Sequence, residues 1–147
     1  MKQIPNDIFF AQVISEINAG RSVIFNVKGT SMFPFIRNGK DAVKLTPVNQ
    51  QLAQNDVVLF KNKGNYILHR IIKIDRDCFI MQGDGVIKNK EYCKREDIVG
   101  VVTHICRNNG DLIPVNSFKL KFLVKVWLSA SFLRRYLIFS LKKVRNL

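Results

Sequence analysis

Short apolar runs separated by turn residues dominate the middle of the chain, between residues 22 and about 107. The runs are rich in Val, Ile and Phe, and Gly, Asn and Asp cluster between them, which is the pattern of β-strands joined by tight turns. We therefore predict a mainly β fold, a small β-barrel or folded sheet, with turns at residues 62–65, 75–77 and 82–85. The predicted strands are residues 23–27, 42–45, 57–60, 66–74, 78–82 and 98–106.

Helical periodicity lies at both ends of this β-rich region. Apolar residues between positions 8 and 17 recur about one turn apart, Asn6 or Asp7 can cap the helix, and Gly20 ends it. Residues 117–144 contain no Gly, Pro, Asp or Glu, which predicts one long helix or two shorter ones. The expected organisation is a compact domain over residues 1–116 followed by a basic amphipathic helical tail over residues 117–147.

The positive charge is concentrated in that tail. The chain has a formal charge of +13, and residues 117–147 carry eight basic and no acidic side chains. On a helical wheel of about 100° per residue, apolar and basic residues fall on different sides. The uncharged stretches are far shorter than the ~20 residues that cross a bilayer. The tail is therefore expected to lie on an anionic membrane surface, on a partner protein or on the domain itself, and nucleic acid is not an expected partner.

The cysteine content and the N-terminal residues indicate the cellular compartment in which the protein is expected. Cys78, Cys93 and Cys106 are odd in number and include no C-x-x-C pair, so neither a closed disulfide set nor a zinc site is expected. No cofactor is predicted. The first apolar group, residues 8–11, is too short for a signal peptide. These features favour a cytoplasmic protein, or one peripheral on the cytoplasmic face of the membrane.

A candidate nucleophile follows the first predicted strand, in the sequence KGTSMFP (residues 28–34). Gly29 relaxes the backbone and Pro34 stops the next residues from forming an ordinary strand, so Ser31 is held in a bend beside free backbone N–H groups. Most such serines only cap a local N–H group. A serine nucleophile also needs a base within hydrogen-bond reach, and His69, in an otherwise aliphatic strand, is the candidate.

Five ordered segments between residues 27 and 102 resemble the S24/S26 peptidases, the family that includes signal peptidase I. GTSMFPFIRNGKD (29–41) resembles the family's serine box, and HRII (69–72) resembles the box that bears the general base. MQGDG (81–85) is similar to the glycine-aspartate box that follows. The other two segments are NDVVLF (55–60) and REDIVGVV (95–102), which resemble a valine-rich strand and the closing strand.

The resemblance implies a role for each matching residue. A histidine at the base position is typical of the archaeal and endoplasmic-reticulum type, so Ser31 would attack the scissile carbonyl and His69 would accept its proton. The backbone N–H of Ser31 would hold the oxyanion. Asp84 matches the acid of the glycine-aspartate box and would orient His69 or support the site, although an Asp-Gly turn explains it equally well.

A further acid that these enzymes carry is replaced here by Asn89 or Lys90, unless Glu91 substitutes for it. The alternatives are therefore a full triad or a Ser-His dyad assisted by Asp84. By the same resemblance, an extended peptide substrate would pair with strand edges near residues 25–30 and 66–69. Phe33, Phe35 and Phe60 either line substrate pockets or fill the core.

Two functions of different classes follow. The first is a serine endopeptidase that removes a leader or signal-like segment from a peptide, with residues 1–116 as its peptidase domain. The second is a catalytically inactive module on the same fold that binds peptides or a membrane surface. A self-cleaving DNA-binding repressor is disfavoured, since the roughly 20 residues before the first strand leave no room for a helix-turn-helix domain.

Overall fold

One antiparallel sheet forms the body of the molecule, and helices precede and follow it. A computed structural model of the chain describes residues 6–145. The helices are α1 (Asn6–Asn18), α2 (Phe118–Ser129) and α3 (Ser131–Arg145). The strands are β1 (Val23–Asn26), β2 (Ala42–Thr46), β3 (Val57–Asn62), β4 (Asn65–Asp75), β5 (Cys78–Gln82), β6 (Glu91–Lys94), β7 (Ile98–Cys106) and β8 (Leu112–Pro114).

The strand order is β1-β2-β7-β3-β4-β5-β6, and β8 pairs with β7 beside this path. The prediction of a mainly β fold with a short first helix and a helical tail is confirmed. Because β1 and β6 are the two ends of the order, the sheet is open and does not close into a barrel. The six predicted strands are present, and β6 and β8 are additions that the hydrophobic pattern did not indicate.

Two tight hairpins set the register of the central strands. Lys63 and Gly64 have φ angles of 50° and 82°, the left-handed conformation that a two-residue hairpin between β3 and β4 requires. This hairpin places His69 of β4 opposite Val58 of β3. The β4–β5 hairpin turns at Arg76, where φ is 54°. The turns predicted at residues 62–65 and 75–77 are therefore confirmed.

Side chains from the two faces of the sheet enter two hydrophobic clusters. On β3, Leu59 belongs to one cluster while Val58 and Phe60 belong to the other, as the two-residue period of a strand requires. The first cluster also receives one side of each of the helices α1 and α2. Its helical members include Val13, Ile17, Leu120, Val124 and Trp127.

The tail forms two helices that meet at Ala130. Ser117 caps α2 by accepting a hydrogen bond from the N–H of Leu120 at 3.4 Å. Ala130 leaves helical geometry, with φ −88° and ψ 37°, and its N–H still bonds to the carbonyl of Val126. Within residues 6–145, no helix combines the length and the hydrophobicity needed to cross a lipid bilayer.

Candidate active site

Ser31 lies in a compact turn between β1 and β2, which we call the serine turn (residues 29–36). The N–H of Phe33 bonds to the carbonyl of Thr30, and the N–H of Ile36 bonds to the carbonyl of Met32. Met32 and Ile36 are each only 1% exposed, so the turn is fastened to the first hydrophobic cluster. Ser31 itself is half-buried at the edge of this fastened segment, and its backbone position is therefore fixed by the core.

A buried carboxylate holds the far end of this loop. Asp41 is fully buried and accepts hydrogen bonds from the Arg37 side chain at 3.0 Å and from Nη1 of Arg107 at 2.6 Å. Burial alone would raise the pKa of Asp41, but the hydrogen bonds from Arg37 and the charges of both arginines outweigh it. The net effect is a pKa below the ordinary 3.8. Arg107 also donates to the carbonyl of Phe35 at 2.8 Å, which ties the serine turn to the end of β7.

His69 projects from β4 and is 4% exposed. Its Nδ1 atom lies 2.9 Å from Oε2 of Glu91, the first residue of β6. The ring of Phe60 packs beside the imidazole, with 6.1 Å between the ring centroids. Because a carboxylate accepts hydrogen bonds and does not donate them, Nδ1 carries the proton of this bond. In the neutral imidazole, Nε2 of His69 is then the nitrogen with a free lone pair, which is the tautomer that a general base requires.

The turn between β5 and β6, which we call the glycine loop (residues 83–86), joins the candidate nucleophile to the candidate base. The N–H of Gly85 donates to the carbonyl of Ser31 at 2.8 Å. A methyl group on Gly83 would overlap the carbonyl oxygen of Ser31 and would lie 3.0 Å from Nε2 of His69. The backbone of Ser31 and Nε2 of His69 therefore meet at the same glycine. Across residues 6–145, no hydrogen bond is formed by Oγ of Ser31.

Asp84 occupies a different position from the acid of a triad. It is 1% exposed, and both of its carboxylate oxygens accept hydrogen bonds from Arg70, at 2.8 and 2.7 Å. Its backbone carbonyl accepts a hydrogen bond from Nε1 of Trp127 at 2.9 Å. Arg70 and His69 are neighbours on a strand and so point to opposite faces of the sheet. Asp84 therefore anchors the glycine loop, and Glu91 is the carboxylate beside His69.

Glu91 is the residue that the sequence alone left open. Its side chain is 19% exposed, so the His69–Glu91 pair is largely shielded from water. Glu91 begins β6 and lies opposite Met81 of β5 in the strand register. The pairing of β6 with β5 brings it to His69, and four residues of mixed polarity, EYCK, give little sequence signal for such a strand.

Two strand edges lack a pairing partner within the described part of the chain. β1 pairs with β2 only, and β4 pairs with β5 only from Arg70 onward, which leaves its residues 65–69 open on that side. Aromatic side chains connect these two edges. The ring of Phe10 lies 5.0 Å from that of Tyr66 on β4 and 6.4 Å from that of Phe25 on β1.

The three phenylalanines that the sequence offered as pocket or core residues lie within the fold. Phe33, Phe35 and Phe60 are buried, and the last two belong to the hydrophobic clusters. Nδ1 of His104, on β7, lies 3.0 Å from Oγ1 of Thr103. Among residues 6–145, the His, Cys, Asp and Glu side chains form no group of three that could hold a metal ion.

No family model matches the chain, and no curated protein sequence matches it significantly. The resemblance to the S24/S26 peptidases stays a prediction that rests on five ordered segments of the sequence.

Proposed function

We propose that this protein is a serine endopeptidase, similar to the histidine-type S24/S26 peptidases, that removes a leader or signal-like segment from a peptide or protein. The observation that carries the proposal is the buried hydrogen bond between Nδ1 of His69 and Glu91. It leaves Nε2 as the basic nitrogen, and Nε2 faces the same glycine as the backbone of Ser31. A serine, a histidine and a carboxylate in this order are the parts of a hydrolytic triad.

In the acylation step, Oγ of Ser31 attacks the scissile carbonyl carbon and its proton passes to Nε2 of His69. This transfer requires Oγ to come within hydrogen-bond reach of Nε2 when substrate binds, and catalytic hydrogen bonds are commonly long in the free enzyme and tighten only in the complex. Glu91 stabilises the resulting imidazolium. The carbon–nitrogen bond then breaks, and His69 returns the proton to the leaving amine.

Water completes the cycle by hydrolysing the ester on Ser31, with His69 again acting as the base. The developing oxyanion needs backbone N–H donors, and the N–H of Ser31 is the proposed one. The carbonyl of the same residue accepts a hydrogen bond from Gly85, which ties the Ser31 backbone to the glycine loop.

An extended peptide is the proposed substrate. The open edge of β1 and the open part of β4 (residues 65–69) offer backbone N–H and C=O groups with which such a peptide can pair. Phe10, Phe25 and Tyr66 lie between the edges and offer an apolar surface to alternate side chains of the substrate. The β4 edge leads directly to His69.

A fluorophosphonate probe, which reacts with activated serines, tests this proposal. The wild-type protein is expected to be labelled, and Ser31→Ala is expected to abolish the labelling. Ser22→Ala removes an exposed serine one strand away and serves as the matched control, with unchanged labelling. Labelling that persists in Ser31→Ala would overturn the assignment of the nucleophile. Peptides that accumulate uncut in a Ser31→Ala strain then identify the substrate.

A non-catalytic peptide-binding module is the second candidate. The observation in its favour is that Oγ of Ser31 makes no hydrogen bond to His69 in the described structure. Such a module would bind extended peptides at the same edges without cleaving them. Absence of probe labelling in a folded wild-type protein, together with peptide binding that Ser31→Ala leaves unchanged, would favour this function over the peptidase.

A further inference from the structure

The two tail helices present an unusually apolar surface to solvent. We call the exposed side of α2 and α3 the tail face. Phe118 is 87% exposed and Phe139 is 72% exposed, and most large apolar side chains between them are exposed as well. The most exposed of the others are Phe122, Val126 and Tyr136. Large apolar side chains exposed in such number are typical of an interaction site.

This exposure is not the result of a helix that lacks a packing partner. α2 buries Leu120, Val124 and Trp127, spaced four and three residues apart, against the sheet. At about 100° per residue, Phe118 and Phe122 lie on the opposite side of the same helix. The packed side of α2 is thus already satisfied by the core, and a second apolar side remains uncovered.

Basic side chains are interleaved with these apolar ones. Residues 117–147 contain eight Lys and Arg and no Asp or Glu. On α2, Lys121 and Lys125 are exposed and adjoin Phe122, and on α3, Arg135 and Lys143 are exposed. A surface with aromatic residues, lysines and no acidic group is complementary to a layer that has an apolar interior and a negatively charged surface.

We propose that the tail face docks on the surface of an anionic lipid bilayer, with α2 and α3 lying in the plane of the interface. A protein partner fits less well, because protein interfaces are depleted in lysine, whereas lysines beside buried apolar groups are typical of interfacial helices. The long lysine stems reach past the apolar side chains to the lipid headgroups. This proposal does not rest on the peptidase function, since it uses no residue of the candidate active site.

Docking in this orientation would bring the candidate active site close to the membrane. The packed side of α2 carries Trp127, whose Nε1 bonds to the carbonyl of Asp84 in the glycine loop. A helix with its side chains is about 10 Å across, so about that distance separates the glycine loop from the bilayer surface. Substrates that are themselves held at a membrane would then lie within reach of Ser31.

Vesicle co-sedimentation of the full-length chain tests the proposal. Two vesicle types are used, phosphatidylcholine alone and phosphatidylcholine with about one-third phosphatidylglycerol. We expect binding to the anionic vesicles that is at least about tenfold tighter than to the neutral ones and weakens with salt. Phe118→Ser/Phe122→Ser and Lys121→Glu/Lys125→Glu are each expected to weaken binding at least about tenfold. All four side chains are exposed, so thermal melting is expected to be unchanged.

Matched controls separate docking from general charge attraction. Lys73→Glu/Arg76→Glu makes the same charge change at exposed positions of the β4–β5 hairpin, and Tyr92→Ser removes an exposed aromatic of β6. Both are expected to bind within about twofold of wild type. Ser31→Ala is also expected to bind like wild type, which keeps this test independent of peptidase activity.

Three results would overturn the proposal. One is a wild-type protein that stays in the supernatant with anionic vesicles. Another is an equal loss of binding in the hairpin control, because the attraction would then be spread over the whole surface. The third is a wild-type dimer that Phe118→Ser/Phe122→Ser converts to a monomer while vesicle binding is unaffected, since a second copy of the chain would then be the occupant.

Discussion

Nδ1 of His69 lies 2.9 Å from Oε2 of Glu91, although 22 positions of sequence separate the two residues. The chain between them forms the rest of β4, all of β5 and the glycine loop before it reaches β6. The carboxylate is therefore supplied by a strand added at the end of the sheet, and the serine by a turn near its other end. The candidate site depends on how the sheet and its loops bring these segments together.

Glu91→Gln tests the proposed role of this carboxylate. An amide in its place does not stabilise the imidazolium and can hold His69 in the wrong tautomer, so the rate of probe labelling is expected to fall by about 10²–10⁴-fold. Thermal melting is expected to change little, because Gln keeps the size and hydrogen-bonding capacity of Glu. Glu96→Gln, at an exposed position after β6, is the control and should label like wild type. Equal labelling rates in the two variants would contradict the role of Glu91.

Asp84→Asn is expected to lower the stability of the fold, whereas Glu91→Gln is expected to lower the labelling rate. Asp84 and Arg70 are a buried, doubly hydrogen-bonded pair, and removing one charge leaves the other buried without compensation. Such losses are about 3–5 kcal/mol of unfolding free energy. Urea denaturation measures this, with the exposed Asp77→Asn as a control that should cost little. A stable Asp84→Asn protein that labels slowly would show instead that Asp84 acts on His69.

Gly83→Ala is expected to disrupt the site through its backbone. The added methyl group would overlap the carbonyl oxygen of Ser31, approach a methyl of Val86 to 2.9 Å and lie 3.0 Å from Nε2 of His69. We expect labelling to be lost and unfolding free energy to fall by about 1–3 kcal/mol. Shortening Val86 in Gly83→Ala/Val86→Ala relieves only one of these overlaps. Restored labelling in that double variant would mean that the Ser31 backbone is free to shift.

The lowered pKa of Asp41 predicts that the folded protein loses stability in acid. Its pKa in the folded protein is below 3.8, so the folded state favours the carboxylate more than the unfolded state does. The stabilisation is therefore fully present above about pH 4 and is lost as the pH falls through the folded pKa. Asp41→Asn is expected to be less stable at pH 7 and to show a shallower loss of stability below about pH 4. Denaturation curves from pH 2 to 7 measure this, and Asp75→Asn, at an exposed position, should keep the wild-type slope.

The parts of the fold that the sequence predicted are those with local signals. The strands of β-branched residues, the hairpin turns with Asn and Gly, and the periodic first helix were all predicted near their observed positions. β6 and β8 were not, because each is short and owes its conformation to pairing with a neighbour. The break between α2 and α3 at Ala130 has no Gly or Pro to mark it.

For the site, Ser31 and His69 stood out because each interrupts an apolar pattern with a chemically capable side chain. The carboxylate beside His69 was harder to predict from the sequence, because Asp84 lies in a conspicuous glycine-flanked turn while Glu91 lies in a polar segment. Two features of the sheet decide which carboxylate contacts His69. The register of β5 against β6 places Glu91, and Asp84 bonds to Arg70, which points to the opposite face from His69. Both are tertiary facts that a local sequence pattern does not contain.

The hydrogen bond from Nε1 of Trp127 to the carbonyl of Asp84 joins the tail to the glycine loop. Proteolysis before α2 would take Leu120, Val124 and Trp127 away from the first hydrophobic cluster and release the loop that positions Ser31. A shortened chain would thus lose the tail face and the contacts that hold the glycine loop beside Ser31 in a single cut. A variant in which another sequence replaces the tail must therefore supply new contacts to the carbonyl of Asp84 and to the first hydrophobic cluster.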